Sequence, residues 1–272
     1  VRADHIDADG RLLERVVLTA DAVFLAAGSM GTSQLLVRAR DGGALPRLNE
    51  HVGRHWGNNG LRIYLRALVP EPTGAYQGGP TSVAILRWAD PANPVTVEFG
   101  PAPFPVETHA MAVPGLGICS PVGRFEHDPL TGDARLVWSS DGDRAAQQAI
   151  RSTLQQLVTA TGGPPAGPPP AAQPVSLDGI SLDGLLSLAA AAPYGLLDLN
   201  GLEPYTFHPL GGAVLGQACD SYGRLAGYPA LYVVDSALIP GSTGACNPAL
   251  TIAALVERCL DDIVTRDVDA RF

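Results

Sequence analysis

The runs "VFLAAGS" (23–29) and "LYVVDS" (231–236) stand near opposite ends of the chain, and each is an apolar strand that stops at a tight turn of small residues. Helical periodicity follows both, directly over "MGTSQLLVRAR" and, after a Gly/Ser-rich loop, over "NPALTIAALVERCLDDIV", where Pro248 occupies the first turn. Strand–turn–helix units of this kind build an α/β sheet, so the chain between them must leave that sheet and return to it. The intervening sequence reads differently. From Asn58 to Trp138 the segments "LRIYLRALV", "TSVAILRWA", "PVTVEFGPAPF", "HAMAVPG" and "ARLVWSS" are short, β-rich and separated by Pro, Gly, Asn and Asp, as in an antiparallel sheet. Residues 143–161 set Ala146, Ile150, Leu154, Leu157 and Val158 on one helical face. The tract "GGPPAGPPPAAQP" after them is a surface loop, because Pro and Gly can neither continue a helix nor join a central strand. The expected class is α/β (α+β), with residues 1–45 and 200–272 in one domain and 46–199 in another built on the antiparallel sheet.

Charge and residue usage exclude several functions. Asp and Glu outnumber the basic residues 27 to 18, a net charge of −9 that opposes binding to a phosphate backbone, so no nucleic-acid partner is expected. All 18 basic residues are Arg, which removes Schiff-base and Walker-type lysine chemistry. Cys119, Cys219, Cys246 and Cys259 form no CxxC pair, so neither a metal site nor a redox dithiol is expected; they read as buried free thiols, although sequence does not fix their pairing. No apolar run has the length of a membrane span, and the start "VRADHIDADGR" carries no signal-peptide core and reads as mid-domain sequence.

The two strand ends, at Gly28 and Asp235, point to a site. In open α/β sheets ligands bind beyond the carboxyl ends of parallel strands, where helix N-termini favour phosphate or polarised groups. A nucleotide-like cofactor fits there, although neither turn is GxGxxG. His208 stands in "YTFHPLGGAVLG" among apolar residues, Pro and Gly; on its own that pattern describes a packed, hydrogen-bonded core histidine.

The chain resembles the glucose–methanol–choline (GMC) oxidoreductase superfamily, and within it the cholesterol oxidase branch. The resemblance is carried by "VFLAAGSMGTSQLLVRARDGGALPRLNEHVGRHWGNNG", "VEFGPAPFPVET", "FHPLGG", "YGRLAGYPALYVVDSALIPGS" and "NPALTIAALVER", which follow one another in the family's order. It implies FAD as cofactor, a sterol or other hydrophobic alcohol as substrate and O2 as electron acceptor. His208 then resembles the histidine that hydrogen-bonds the substrate hydroxyl and helps remove its proton, a task suited to an imidazole near neutral pH. Asn247 resembles the asparagine beside the flavin that orients the same hydroxyl. Glu98 matches the carboxylate that moves a proton from C4 to C6 and so converts a Δ5 ketone to the conjugated Δ4 ketone; that base requires an apolar pocket, which Val97 and Phe99 are expected to supply. Gly28, Ser29, Asp235, Asn247 and Pro248 are the expected cofactor contacts, with simple capping of the next turn as the other role open to Asp235. Glu107 and His109 in "VETHA" read as structural.

The resemblance has gaps. The family's N-terminal βαβ unit with GxGxxG is not in this sequence, so the chain reads as the C-terminal half of an oxidase, completed by a complementary N-terminal FAD-binding polypeptide or else an inactive steroid-binding remnant. Ala249 replaces a larger apolar residue of the nearest relatives, which bears on substrate fit. The family also implies a secreted or cell-surface bacterial protein. A rival reading takes Ser29 in "AGSMG" as a nucleophile-elbow serine, with Asp198 and His208 following in hydrolase order; too little chain precedes Ser29 to build the usual sheet.

Overall fold

The computed structural model describes residues 1–74, 83–101, 106–164, 179–202 and 205–268. Strands β1 (Arg2–Ile6) and β2 (Leu12–Val17) form a hairpin, followed by β3 (Val23–Leu25) and helix α1 (Gly28–Asp41). Then come β4 (Arg62–Arg66), β5 (Val83–Arg87), β6 (Val95–Pro101), β7 (Met111–Leu116), β8 (Arg124–His127) and β9 (Ala134–Val137). Helices α2 (Arg144–Ala160) and α3 (Leu182–Ala191), strand β10 (Leu196–Asp198), the short helix α4 (Leu199–Leu202), β11 (Leu231–Val233) and α5 (Ala249–Ile263) complete the order. The Gly/Pro-rich tract lies largely outside the described residues.

The two strand ends named from sequence do meet. β3 and β11 pair in parallel, Val23 opposite Leu231 and Leu25 opposite Val233, so both chains leave the sheet in the same direction. β3 is half-exposed rather than buried, with Phe24 at 43 % and stacked on Tyr232, because among the described residues only β11 pairs with it. The hairpin before it is mostly exposed, and its first strand had no distinctive pattern in the sequence.

Helix α1 turns two different faces to the protein. Ser29, Thr32 and Ser33, spaced i, i+3 and i+4, are fully buried against residues 211–237, while Leu36 and Val37 enter a core with Val52, Trp56, Phe125, Ala134, Val233 and Leu238. This core draws on residues from both sides of the sequence boundary at 45/46, so that boundary is not a seam in the packing. "ARLVWSS" also departs from expectation: among the described residues it pairs with β8 alone, and the resulting hairpin packs on α1.

The second layer is a five-stranded antiparallel sheet in the order β10-β4-β7-β6-β5. One face packs on α2 through Tyr64, Val95, Val97 and Val113 against Ala146, Ile150 and Leu154. Each fully buried aliphatic side chain on α2 contributes about 1.5–3 kcal/mol. The opposite face carries Ile63 and Leu65 of β4, Ala112, Pro114 and Leu116 of β7, and Thr96, Glu98 and Gly100 of β6, as the period of two and the register require. Helix α3 covers the Leu65 end of this face.

Candidate active site

Glu98, Asn247 and His208 come from three separate segments and converge. The Asn247 side-chain amide donates to Glu98 Oε1 at 2.5 Å. His208 is half-buried, and burial lowers its pKa from the ordinary imidazole value while the charge of Glu98 raises it in opposition. Its Nδ1 is buried without a hydrogen-bond partner among the described residues. Such an orphaned ring nitrogen is uncommon outside functional sites, and it sets His208 apart from a satisfied core histidine.

The surroundings of Glu98 differ from the expectation. Val97 and Phe99 point to the other face of the sheet and join the α2 core, because adjacent residues in a strand alternate. The neighbours on the Glu98 face are Ala84 across on β5 and Thr96 and Gly100 along β6. Further across this face Leu61, Ile63 and Leu116 form an apolar cluster with Ala245, two residues before Asn247, and with Leu199 and Tyr205, the latter three residues before His208.

The segments around Gly28 and Asp235 form a second constellation. Gly28 opens α1 at φ +71°, and a Cβ there would meet nothing within 4 Å. Asp235 is buried at the end of β11. Thr32 Oγ1 donates to its Oδ2 at 2.5 Å and the Ala237 amide to its Oδ1 at 2.8 Å, so the carboxylate caps the short 3-10 helix Ser236–Leu238. Burial raises the Asp235 pKa, and hydrogen bonds from Thr32, Ala237 and the Gly28 amide oppose that shift. Ser29 is fully buried; its amide donates to Ser236 Oγ at 2.8 Å and its hydroxyl to the Gly211 carbonyl at 2.7 Å.

The remaining expected residues divide between the site and the scaffold. Asn247 is exposed and Pro248 buried, immediately before α5, whose first turn has no side-chain cap. The positive end of that helix beside Asn247 and the open face over Gly28 suit a cofactor with polarised or anionic groups. Glu107 is a loop staple: burial would push its carboxyl up, but donations from the amides of His109, Thr73 and Gly74 and from the Thr73 hydroxyl outweigh it and hold the pKa down to about 2. The four cysteines are free, three of them buried and Cys246 half-buried. No hydrolase triad assembles, since Ser29 is sealed inside and Asp198 pairs with Arg151 at 3.6 Å.

Sequence reasoning missed Asn58, Asn59, Thr206 and Asp143. Asp143 is fully buried, paired with Arg62 at 3.3 Å and accepting from Asn58 Nδ2 at 2.8 Å. Thr206 Oγ1 donates to the Asn58 carbonyl at 3.2 Å and accepts from the His208 amide at 3.0 Å. The adjacent amides in "GNNG" were the available signal, since a polar pair between glycines in an apolar run must be satisfied from somewhere.

Comparison with known proteins agrees with this architecture. Two family models match: "GMC oxidoreductase, C-terminal" over residues 59–165 and "GMC oxidoreductase" over 127–255. Cholesterol oxidases of Mycobacterium tuberculosis strains CDC 1551 / Oshkosh and ATCC 25618 / H37Rv are each 52% identical over 60 residues, a match covering 20% of this chain and 10% of theirs. Among solved structures, pyridoxine 4-oxidase from Mesorbium loti aligns with a TM-score of 0.60 at 17% identity over 96% of this chain and 54% of that one. An FAD-dependent oxidoreductase from Chaetomium thermophilum aligns with a TM-score of 0.58 at 15% identity, over 97% of this chain and 58% of that one. The formate oxidase of Aspergillus oryzae RIB40 aligns with a TM-score of 0.60 at 18% identity, over 97% of this chain and 57% of that one. The chain thus spans little more than half the length of these structures. With both family models and the shared fold in agreement, the chain belongs to the GMC oxidoreductases.

Proposed function

We propose that this chain supplies the substrate face and part of the flavin contact of an FAD-dependent 3β-hydroxysteroid oxidase. The observation that carries the reading is the convergence of His208, Asn247 and Glu98 beside the apolar cluster of Leu61, Ile63 and Leu116 on the same sheet face. A steroid needs such a face for its rings and only a few polar groups for its one hydroxyl. The partial cholesterol oxidase match supports the same substrate class.

FAD held by Gly28 and the first turn of α5 would supply a two-electron acceptor for the hydride of the carbinol carbon, with O2 as the onward acceptor. The residues of this chain do the rest. His208 accepts the hydroxyl proton as the carbon loses hydride, which leaves a ketone; the lowered imidazole pKa keeps the ring neutral and able to accept. Asn247 holds the hydroxyl oxygen beside the start of α5. Glu98 removes a C4 proton from the Δ5 ketone and returns it at C6, which moves the double bond into conjugation. Gly28, with an open face, and the uncapped first turn of α5 are the contacts offered to the cofactor. Asp235 contributes indirectly, by fixing the Gly28 turn. The exposed apolar residues Phe24, Phe207, Leu250 and those of the β1–β2 hairpin support a complementary FAD-binding polypeptide as partner.

The experiment is an FAD titration of the purified chain, alone and with an added N-terminal GMC βαβ polypeptide, followed by aerobic assay with a 3β-hydroxy-Δ5 steroid. Flavin binding with release of hydrogen peroxide and a conjugated ketone is the expected result. Flavin binding in either form with no oxidation of the steroid would overturn the substrate assignment.

A further inference from the structure

The segment Gly57–Asn59 lies between the segments that carry His208 and Asn247, and it is bonded to both. Gly57 exchanges amide and carbonyl hydrogen bonds with Leu210 at 3.0 and 3.1 Å. Asn58 reaches the His208 segment through Thr206. Asn59 faces the other way. Its amide donates to the Gly241 carbonyl at 3.0 Å, its Nδ2 donates to the Cys246 carbonyl at 2.8 Å, and its Oδ1 accepts from the Thr243 amide at 2.7 Å; the Thr243 hydroxyl stands within donating distance of both the Cys246 carbonyl, at 2.8 Å, and Asn59 Oδ1, at 3.0 Å. The side chain is fully buried, and the backbone adopts φ +59°, a conformation that Asn tolerates better than most residues.

We infer that Asn59, with the Thr243 hydroxyl beside it, is a positioning residue for Asn247, fixing through the Cys246 carbonyl the distance and orientation at which Asn247 meets Glu98. The carbonyl it holds belongs to the residue before Asn247, so a loss of that bond is transmitted through one peptide unit. The Asn59 amide suits this place because it offers a donor for Cys246 and an acceptor for Thr243 in one planar group. The inference rests on the role proposed above for Asn247, but the contact it explains is observable without turnover.

The test follows the His208 imidazole by NMR titration in the purified full chain, with Glu98→Gln introduced alone and in two further backgrounds. Asn59→Gly removes the side chain while keeping a backbone that accepts positive φ. Thr243→Val removes the hydroxyl shared between the Cys246 carbonyl and Asn59 Oδ1, and Thr243→Ser retains it. In the unmodified chain Glu98→Gln should lower the His208 midpoint, because the carboxylate charge raises it. In the Asn59→Gly and Thr243→Val backgrounds the same replacement should move the midpoint by less than half as much, and Thr243→Ser should restore the full effect. An undiminished Glu98 effect in folded Asn59→Gly or Thr243→Val overturns the inference; if Asn59→Gly does not fold, the Thr243 pair decides. In FAD-loaded enzyme Asn59→Gly should lower kcat about tenfold with little change in KM, as misorientation of a reacting group does. A lost coupling in a protein that oxidises no alcohol would overturn the function proposed above and uphold the positioning role.

Discussion

The Asn247 amide meets Glu98 Oε1 at 2.5 Å although 149 positions separate the two in the chain. The carboxylate oxygen accepts, so the amide nitrogen must face it, and the orientation of Asn247 is thereby fixed. One residue lies two positions before α5 and the other sits mid-strand in the antiparallel sheet, so the contact ties the two layers together at the site.

Loss of either hydroxyl-facing group should suppress oxidation. His208→Ala removes the proton acceptor and should slow flavin reduction by about 10²–10⁴-fold in FAD-loaded enzyme. Asn247→Leu removes the orienting amide and with it the hydrogen bond to Glu98. Anaerobic stopped-flow measurement of flavin reduction checks both.

Glu98→Gln should separate the two reactions. The replacement keeps the size and a polar contact to Asn247 but removes the base, so the Δ5 ketone should accumulate while oxidation continues. Product analysis by ultraviolet absorbance reads the conjugated enone directly; release of only conjugated ketone would assign isomerisation to another group.

The pH dependence should follow His208. Burial holds its folded pKa below the ordinary value of about 6.5, so the neutral, proton-accepting ring persists to lower pH than in an exposed histidine. The acid limb of kcat/KM should therefore lie below about pH 6.5, and Glu98→Gln should shift it lower still by removing the charge that raises His208. The same sign governs stability. As pH falls through the unfolded value, the unfolded chain takes up a proton that the folded one resists, and stability declines.

Two glycines should respond unequally to alanine. At Gly28 only the backbone conformation opposes a side chain, so Gly28→Ala should cost about 1–2 kcal/mol. At Gly212, with φ +107°, a Cβ would lie 1.8 Å from Ser33 Oγ, so strain and overpacking add and the cost should exceed about 3 kcal/mol. Denaturant unfolding of the two variants gives the comparison.

The sequence revealed elements with strong local patterns. The helical spacing of Ile150, Leu154 and Val158 and the Pro248 start gave α2 and α5 to within a residue or two, and the strand ends at Gly28 and Asp235 do lie side by side. Pairing was not local information. "ARLVWSS" has a strand pattern that cannot say which strand it joins, and β10 is too short to stand out. The flanking of Glu98 by Val97 and Phe99 was misjudged because adjacency in sequence means opposite faces in a strand. Asn58 and Asn59 act through partners distant in the chain, the Asp143 carboxylate, the Thr206 hydroxyl and the Cys246 carbonyl, and composition cannot reveal such partners.

The most direct measurement is an NMR titration of the chain with a 3β-hydroxy-Δ5 steroid, following the His208 ring signals and repeating the experiment with the 3-deoxy analogue. A saturable shift of His208 with the alcohol is expected, much reduced with the analogue because the hydroxyl that would meet the imidazole is gone. Equal shifts with both steroids, or none with either, would contradict it.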